Sequence, residues 1–110
     1  MKLLNKEKAY VPISKLLEYL LSDTHPIGKT KSKYLRSAGF NETNIGSLKQ
    51  GLINIAQSED IIEAISSSHG VKYVIDGSIK TPAGNLITMR TVWIIDKEQE
   101  SPRFVTAYPL

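Results

Sequence analysis

"VKYVIDGSIKTPAGNLITMRTVWIID", residues 71–96, decides the fold. Two runs rich in β-branched and aromatic residues, 71–80 and 86–95, flank Pro82-Ala83-Gly84, whose residue types punctuate a chain as a turn. A connection this short joins antiparallel neighbours. In the second run, alternation sets Ile87, Met89, Thr91, Trp93 and Ile95 on one face and Leu86, Thr88, Arg90, Val92 and Ile94 on the other. The first set is the more apolar and is expected to pack under helices. Arg90 then lies on the open face, where pairing with Asp76 or Glu63 is the expectation.

Downstream, a polar loop from Asp96 to Pro102 leads to a strand over 103–108. Strict alternation turns Arg103, Val105 and Ala107 inward and leaves Phe104, Thr106 and Tyr108 on an amphipathic second face. Thr106 and Tyr108 offer two hydroxyls, and Arg103 at the strand start has a planar fork suited to a phosphate. Thr and Tyr are also simply good strand formers, so a structural role stands beside the chemical one. Upstream, Ser67-Ser68-His69-Gly70 reads as a turn, with His69 an exposed turn residue. "DIIEAIS", residues 60–66, fits either an extension of the preceding helix or a strand, and a hairpin is the favoured reading.

Before this meander the periodicity changes to that of helices. Pro12 suits a first helical turn, and Ile13, Leu16, Leu17, Leu20 and Leu21 follow at three- and four-residue spacing, which predicts a helix over 12–22. Ser22-Asp23-Thr24 breaks it, and Pro26 biases His25 away from helical angles. A second helix is predicted from near Gly28 to a left-handed cap at Gly39. A third spans about Asn44 to Gln57, with Leu48, Leu52, Ile55 and Ala56 on one side and Gly46 and Gly51 weakening it. Three helices followed by four strands predict an α+β domain, the N-terminal helices covering one face of a four-stranded antiparallel sheet.

With 110 residues the chain has the size of a single domain with one core. It contains no cysteine, which excludes disulfides, thiolate nucleophiles and thiolate zinc sites and fits a reducing compartment. "MKLLNKEKAYVP" has no apolar signal region, and no run approaches the ~18 apolar residues of a membrane span, so the expected location is the cytoplasm without a membrane partner. The net charge of +3 is unevenly divided. Residues 1–40 hold eight Lys/Arg against three Asp/Glu, residues 41–110 six against eight, so an anionic partner is expected to approach the N-terminal segment.

That segment contains "THPIGKTKSKYLRSAGF", residues 24–40, with four basic and no acidic residues. Helical phase separates them. Lys29, Lys33 and Arg36 share one face with little reason to be buried, and are candidates for holding a nucleic-acid backbone. Lys31 lines up with Tyr34, Leu35 and Ala38 on the apolar stripe, so it either snorkels past the core or projects into a cleft, and the spacing leaves both open. His25, the side chain titrating nearest neutral pH, is suited to proton transfer, although many loop histidines do nothing of the kind. No phosphate loop, HExxH or GxSxG motif is present. Two distant histidines make no metal site, and no cofactor or metal is expected.

"HPIGKTKSKYLRSAGF", "VKYVIDGSIKTPAG" and "RTVWIIDKEQESPRFVTAYP" together resemble a small bacterial family of uncharacterised domains, from about Ala9 to Pro109. Its pattern is HPxGxxK, an aromatic pair, GF, G-x-K-Y, a PxG turn and a terminal tVW…PRxVTAYP. The family in turn is similar to ribonuclease toxins of the barnase, EndoU and RelE-like group. That resemblance implies N-terminal helices on a four-stranded antiparallel sheet and RNA cleavage without metal, by side chains in a sheet-side cleft. It also implies neutralisation by an antitoxin or immunity protein. Carried over by matching position, His25, Lys31, Arg103, Thr106 and Tyr108 are the implied catalytic residues, with RNA the implied partner. Tyr34-Leu35 departs from the aromatic pair, which alters packing rather than chemistry. Because the chain starts at its own methionine, a freestanding intracellular module is expected, monomeric or a small homo-oligomer. The alternative is a noncatalytic relative that binds a protein or nucleic acid.

Overall fold

The structure, a computed structural model, describes residues 1–17, 21 and 29–110, with the backbone alone for residues 29–31. Four strands, β1 (Ile61–Ser67), β2 (Gly70–Lys80), β3 (Leu86–Asp96) and β4 (Arg103–Pro109), form one antiparallel sheet in chain order. The helices α1 (Ile13–Lys15), α2 (Lys29–Ser37) and α3 (Ile45–Ser58) precede it, so the chain has the α+β architecture its periodicities predict. "DIIEAIS" is a strand, the edge strand β1.

The cross-strand register assigns the two faces. Ile75, Thr91 and Ala107 stand in one row, and Tyr73, Trp93 and Phe104 in the next; all point toward the helices. Trp93 and Phe104 are fully buried and meet edge to face, ring centroids 5.4 Å apart at 72°. The two polar atoms buried here are satisfied, as burial requires. The Trp93 indole N–H donates to Thr91 Oγ1 at 2.9 Å, and that hydroxyl donates to the Ile75 carbonyl at 2.6 Å.

Helix α3 covers this face with Leu48, Leu52, Ile55 and Ala56, the stripe read from the sequence. Its weak-looking glycine has a packing reason: a Cβ on Gly51 would lie 2.7 Å from Ile79 Cγ2. Gly77 on β2 makes the reciprocal allowance, since a Cβ there would lie 2.8 Å from Ile55 Cγ1. The pair of glycines makes room for Ile79 and Ile55 between helix and sheet.

Helix α2 ends as predicted at Gly39, with φ +103°. The Gly39 N–H bonds the Arg36 carbonyl at 3.0 Å and the Phe40 N–H bonds the Leu35 carbonyl at 3.0 Å, the two bonds of a Schellman cap. The next start is a mutual cap: Asn41 Oδ1 accepts from Thr43 N–H and Asn44 Oδ1 from Asn41 N–H, each at 2.8 Å. Of the helix predicted over 12–22, residues 18–20 and 22 lie outside the described residues. The described part is the α-helical turn Ile13–Lys15, and the Leu21 N–H bonds the Leu16 carbonyl five residues back, at 2.8 Å, a wider bond than an α-helix makes. Leu16 and Leu21 are buried, whereas Ile13 and Leu17 turn outward.

The N-terminal segment closes the molecule. Tyr10 bridges in parallel to Arg103, with Tyr10 N–H to the Pro102 carbonyl and Phe104 N–H to the Tyr10 carbonyl, both 3.0 Å. At the opposite edge the Ile61 N–H bonds the Met1 carbonyl at 2.8 Å. Leu3, Ala9 and Val11 enter the core.

Candidate functional site on the open sheet face

The face of the sheet away from α3 is formed by rows that follow directly from the register. Asp76, Arg90 and Tyr108 stand side by side; so do Val74, Val92 and Thr106, and then Lys72, Ile94 and Arg103. Arg103, Thr106 and Tyr108 therefore share the open face. This corrects the alternation read from the sequence, which put Arg103 with Ala107 on the inner side and Phe104 with Thr106 and Tyr108 on the other.

The cause is a β-bulge. Val92 pairs with Thr106 and Trp93 with Phe104, so Val105 is the extra residue, and the pattern changes phase there. Phe104 and Ala107 both point into the core, three residues apart. Bulges commonly re-aim side chains in this way.

Electrostatics along this face are organised by pairs. Arg90 donates from Nε and Nη2 to the two Asp76 oxygens at 2.8 and 2.9 Å, the expected cross-strand pair. That bidentate contact, reinforced by the Tyr108 phenol, raises the Arg90 pKa further still. Arg103 makes longer bonds to Asp96, 3.3 Å from both Nε and Nη2, and stays about one-third exposed. Lys72 is exposed and has no ion pair among the described residues.

At the turn end of the face these groups surround a cleft of about 530 Å³, lined by Ile65, His69, Lys72, Ile94, Asp96 and Arg103 among others. His69, by its sequence context an exposed turn residue, belongs to this cleft. Its backbone is fixed by bonds from its N–H to Ser67 Oγ, 3.2 Å, and from Lys97 N–H to its carbonyl, 2.9 Å. The one signal available was its place between two strands that bring it beside a distant arginine, and that juxtaposition is tertiary. Among the described residues no three His, Asp or Glu side chains come together to hold a metal ion. No described helix is long and apolar enough to cross a membrane.

Of the residues singled out in the N-terminal half, His25 lies outside the described residues, as do the side chains of Lys29 and Lys31. Lys33 is exposed on α2. Arg36 is part-buried and occupied: Nη1 and Nη2 donate to the Glu42 carboxylate at 2.8 and 2.9 Å, Nη2 also to the Leu21 carbonyl, and Nε to Ser32 Oγ at 3.3 Å. The basic face of α2 thus includes an arginine that ties the helix to its surroundings.

The chain belongs to a family described as a domain of unknown function, DUF6883, whose profile matches residues 2–110. A comparison with curated proteins gives no match. Among solved structures, the fold is similar to a chain of a contact-dependent growth inhibition toxin–immunity protein complex from Klebsiella pneumoniae 342. The TM-score is 0.73 and the identity 15%, over 94% of this chain and 95% of that one.

Proposed function

We propose that this chain is a metal-independent endoribonuclease of toxin type, acting in the cytoplasm and neutralised by a protein partner. The observation that carries the reading is the open sheet face, on which the bulge gathers Arg103, Thr106 and Tyr108 beside the cations Lys72 and Arg90. The resemblance of the small family that carries these motifs to ribonuclease toxins supports it. So does a fold neighbour whose title names a toxin–immunity complex.

In this reaction the ribose 2′-oxygen bonds to the adjacent phosphorus as the bond to the 5′-oxygen breaks. The products are a cyclic phosphate and a free 5′-hydroxyl. His25 transfers the proton, Lys31 and Arg103 stabilise the charge that develops on the phosphorane, and Thr106 or Tyr108 orients the phosphate or assists proton transfer. Arginine suits that role because its fork stays charged and matches phosphate oxygens. Lys29 and Lys33 hold the RNA backbone, whereas Arg36, the third basic residue of that helix face, is committed to Glu42 and the Leu21 carbonyl and positions the helix that carries them.

The test is growth arrest and RNA cleavage on expression without a neutralising partner, compared with His25→Ala and Lys31→Ala. Wild type is expected to cleave cellular RNA, in EDTA as well, leaving cyclic-phosphate ends. Both variants are expected to fold and to lose about 10²-fold or more in turnover. If wild type neither cleaves RNA nor slows growth, and His25→Ala behaves identically, the enzymatic reading fails. A noncatalytic binding module is the second reading, and the exposed edge strand β1 favours it: six of its seven residues are exposed, with Ile62 and Ile65 among them. An exposed edge of this kind can accept a strand from a partner.

A further inference from the structure

We infer that the cleft at the turn end of the open face holds one nucleotide of a single RNA strand, its phosphates on Lys72 and Arg103 and its base on the apolar floor between them. The inference rests on the ribonuclease reading for the nature of the strand, and it assigns a subsite that shares only Arg103 with the His25 and Lys31 scheme.

The register dictates the arrangement. Lys72 on β2, Ile94 on β3 and Arg103 on β4 stand directly opposite one another on three adjacent strands. Neighbouring strands are ~4.8 Å apart, so the two cations flank an apolar strip roughly 10 Å wide before their side chains bend. Ile94, only 5% exposed, forms the middle of that strip, and Ile65 extends it beyond Lys72 on β1. One row further on, Ser67, Gly70 and Asp96 are aligned, and Gly70 lets the turn bring Asp96 close. The conformation requires glycine: φ is +143° and a Cβ would lie 2.3 Å from the Ile95 carbonyl oxygen. His69 closes the rim, and its ring has no hydrogen bond among the described residues.

Cations at both sides of an apolar floor match a nucleotide better than they match an apolar peptide or a bare anion. A base packs its face on apolar side chains, and its flanking phosphates need a donor at each end. Asp96 is the one acidic side chain in the cleft, and Arg103 already engages it. The two longer bonds of that pair leave the remaining guanidinium N–H groups for a phosphate.

The experiment uses a 2′-O-methyl oligoribonucleotide, which cannot undergo 2′-oxygen attack, so binding is read apart from cleavage. Saturable binding is expected by anisotropy, with the amide resonances of His69, Lys72, Ile94 and Arg103 shifting. Lys72→Ala should weaken binding about tenfold, Lys72→Arg should restore most of it, and Ile94→Ser should weaken it separately. Circular dichroism of each variant confirms the fold. The inference is overturned if no saturable binding occurs, if the shifts fall elsewhere, or if Lys72→Ala binds like wild type. It is also overturned if inorganic phosphate competes as well as the oligomer, since the base would then contribute nothing. Oligomer bound in the cleft while wild type cuts no RNA would sink the ribonuclease reading and keep the site. RNA cut at an unchanged rate by Lys72→Ala, with the cleft resonances unmoved, would do the reverse.

Discussion

At the scale of single residues, the two glycines of α3 separate propensity from packing. Nothing lies within 4 Å of a Cβ added to Gly46, whereas one added to Gly51 meets Ile79 Cγ2 at 2.7 Å. Ile79 is 2% exposed and its branched Cβ holds Cγ2 in place, so relieving the overlap requires its side chain or the helix to shift. Gly46→Ala should therefore stabilise the protein by about 0.5–1 kcal/mol, the ordinary helix-propensity gain. Gly51→Ala should destabilise it by about 1–3 kcal/mol through overpacking, despite the same gain. Urea denaturation of both variants decides the matter. The Arg36–Glu42 clamp makes a second prediction. Its hydrogen bonds to the guanidinium hold the Glu42 carboxyl down to about 2, from an ordinary value of 4.5. Because the folded value is depressed, the pair contributes fully above about pH 4.5 and is lost as pH falls through about 2. An NMR titration should place the Glu42 midpoint near 2, and Arg36→Gln should return it toward 4.5.

At the scale of elements, the bulge in β4 is the feature that aims the candidate site. With Val105 removed, Phe104 opposite Trp93 and Thr106 opposite Val92 would become consecutive pairs of a regular ladder, every face unchanged. Deletion of Val105 should thus leave the near-ultraviolet dichroism of Trp93 close to wild type. On the proposed ribonuclease reading it should also lower RNA cleavage about tenfold or more, because the spacing and local twist between Arg103 and Thr106 along the strand change. Retained cleavage would show that the bulge does not aim the site. This element also marks the border of what the sequence discloses. The α3 stripe, the Gly39 cap, the meander and the inward face of β3 follow from spacing, since each depends on neighbours a few residues apart. The bulge does not: "PRFVTAYP" has no glycine at the extra residue, so regular alternation was the natural reading, and it reversed Phe104 and Arg103. His69 was illegible as part of a cleft for a related reason. Its companions Arg103 and Asp96 come from strands that only the register brings alongside. Ile13 and Leu17 fit a helical stripe, yet both are exposed while Leu16 and Leu21 are buried.

At the scale of the molecule, sequence-distant contacts tie the first residues to helix α3 and to the loop before β4, besides the bonds to β1 and β4. Lys8 pairs with Glu100 at 2.9 Å, the Gln57 amide reaches the Lys6 carbonyl at 3.3 Å, and Lys2 donates to the Ser58 carbonyl. The exposed ion pair contributes little by itself. The apolar anchor matters more: Leu3 is 2% exposed and part of the same core cluster as Trp93 and Leu52. A segment so anchored must unfold with the core rather than before it, which makes cooperativity the property to measure. Leu3→Ala should cost about 2–5 kcal/mol, the range for truncating a buried leucine. Unfolding should remain a single transition, with far-ultraviolet dichroism and Trp93 fluorescence shifting together to the lower midpoint. Two separated transitions, with Trp93 fluorescence keeping the wild-type midpoint, would mean that the N-terminal segment is an independent strap. The pairing of Tyr10 with Arg103 would then be too weak to hold β4 in place, and the aim of Arg103 on the open face would have to come from the bulge and Asp96 alone.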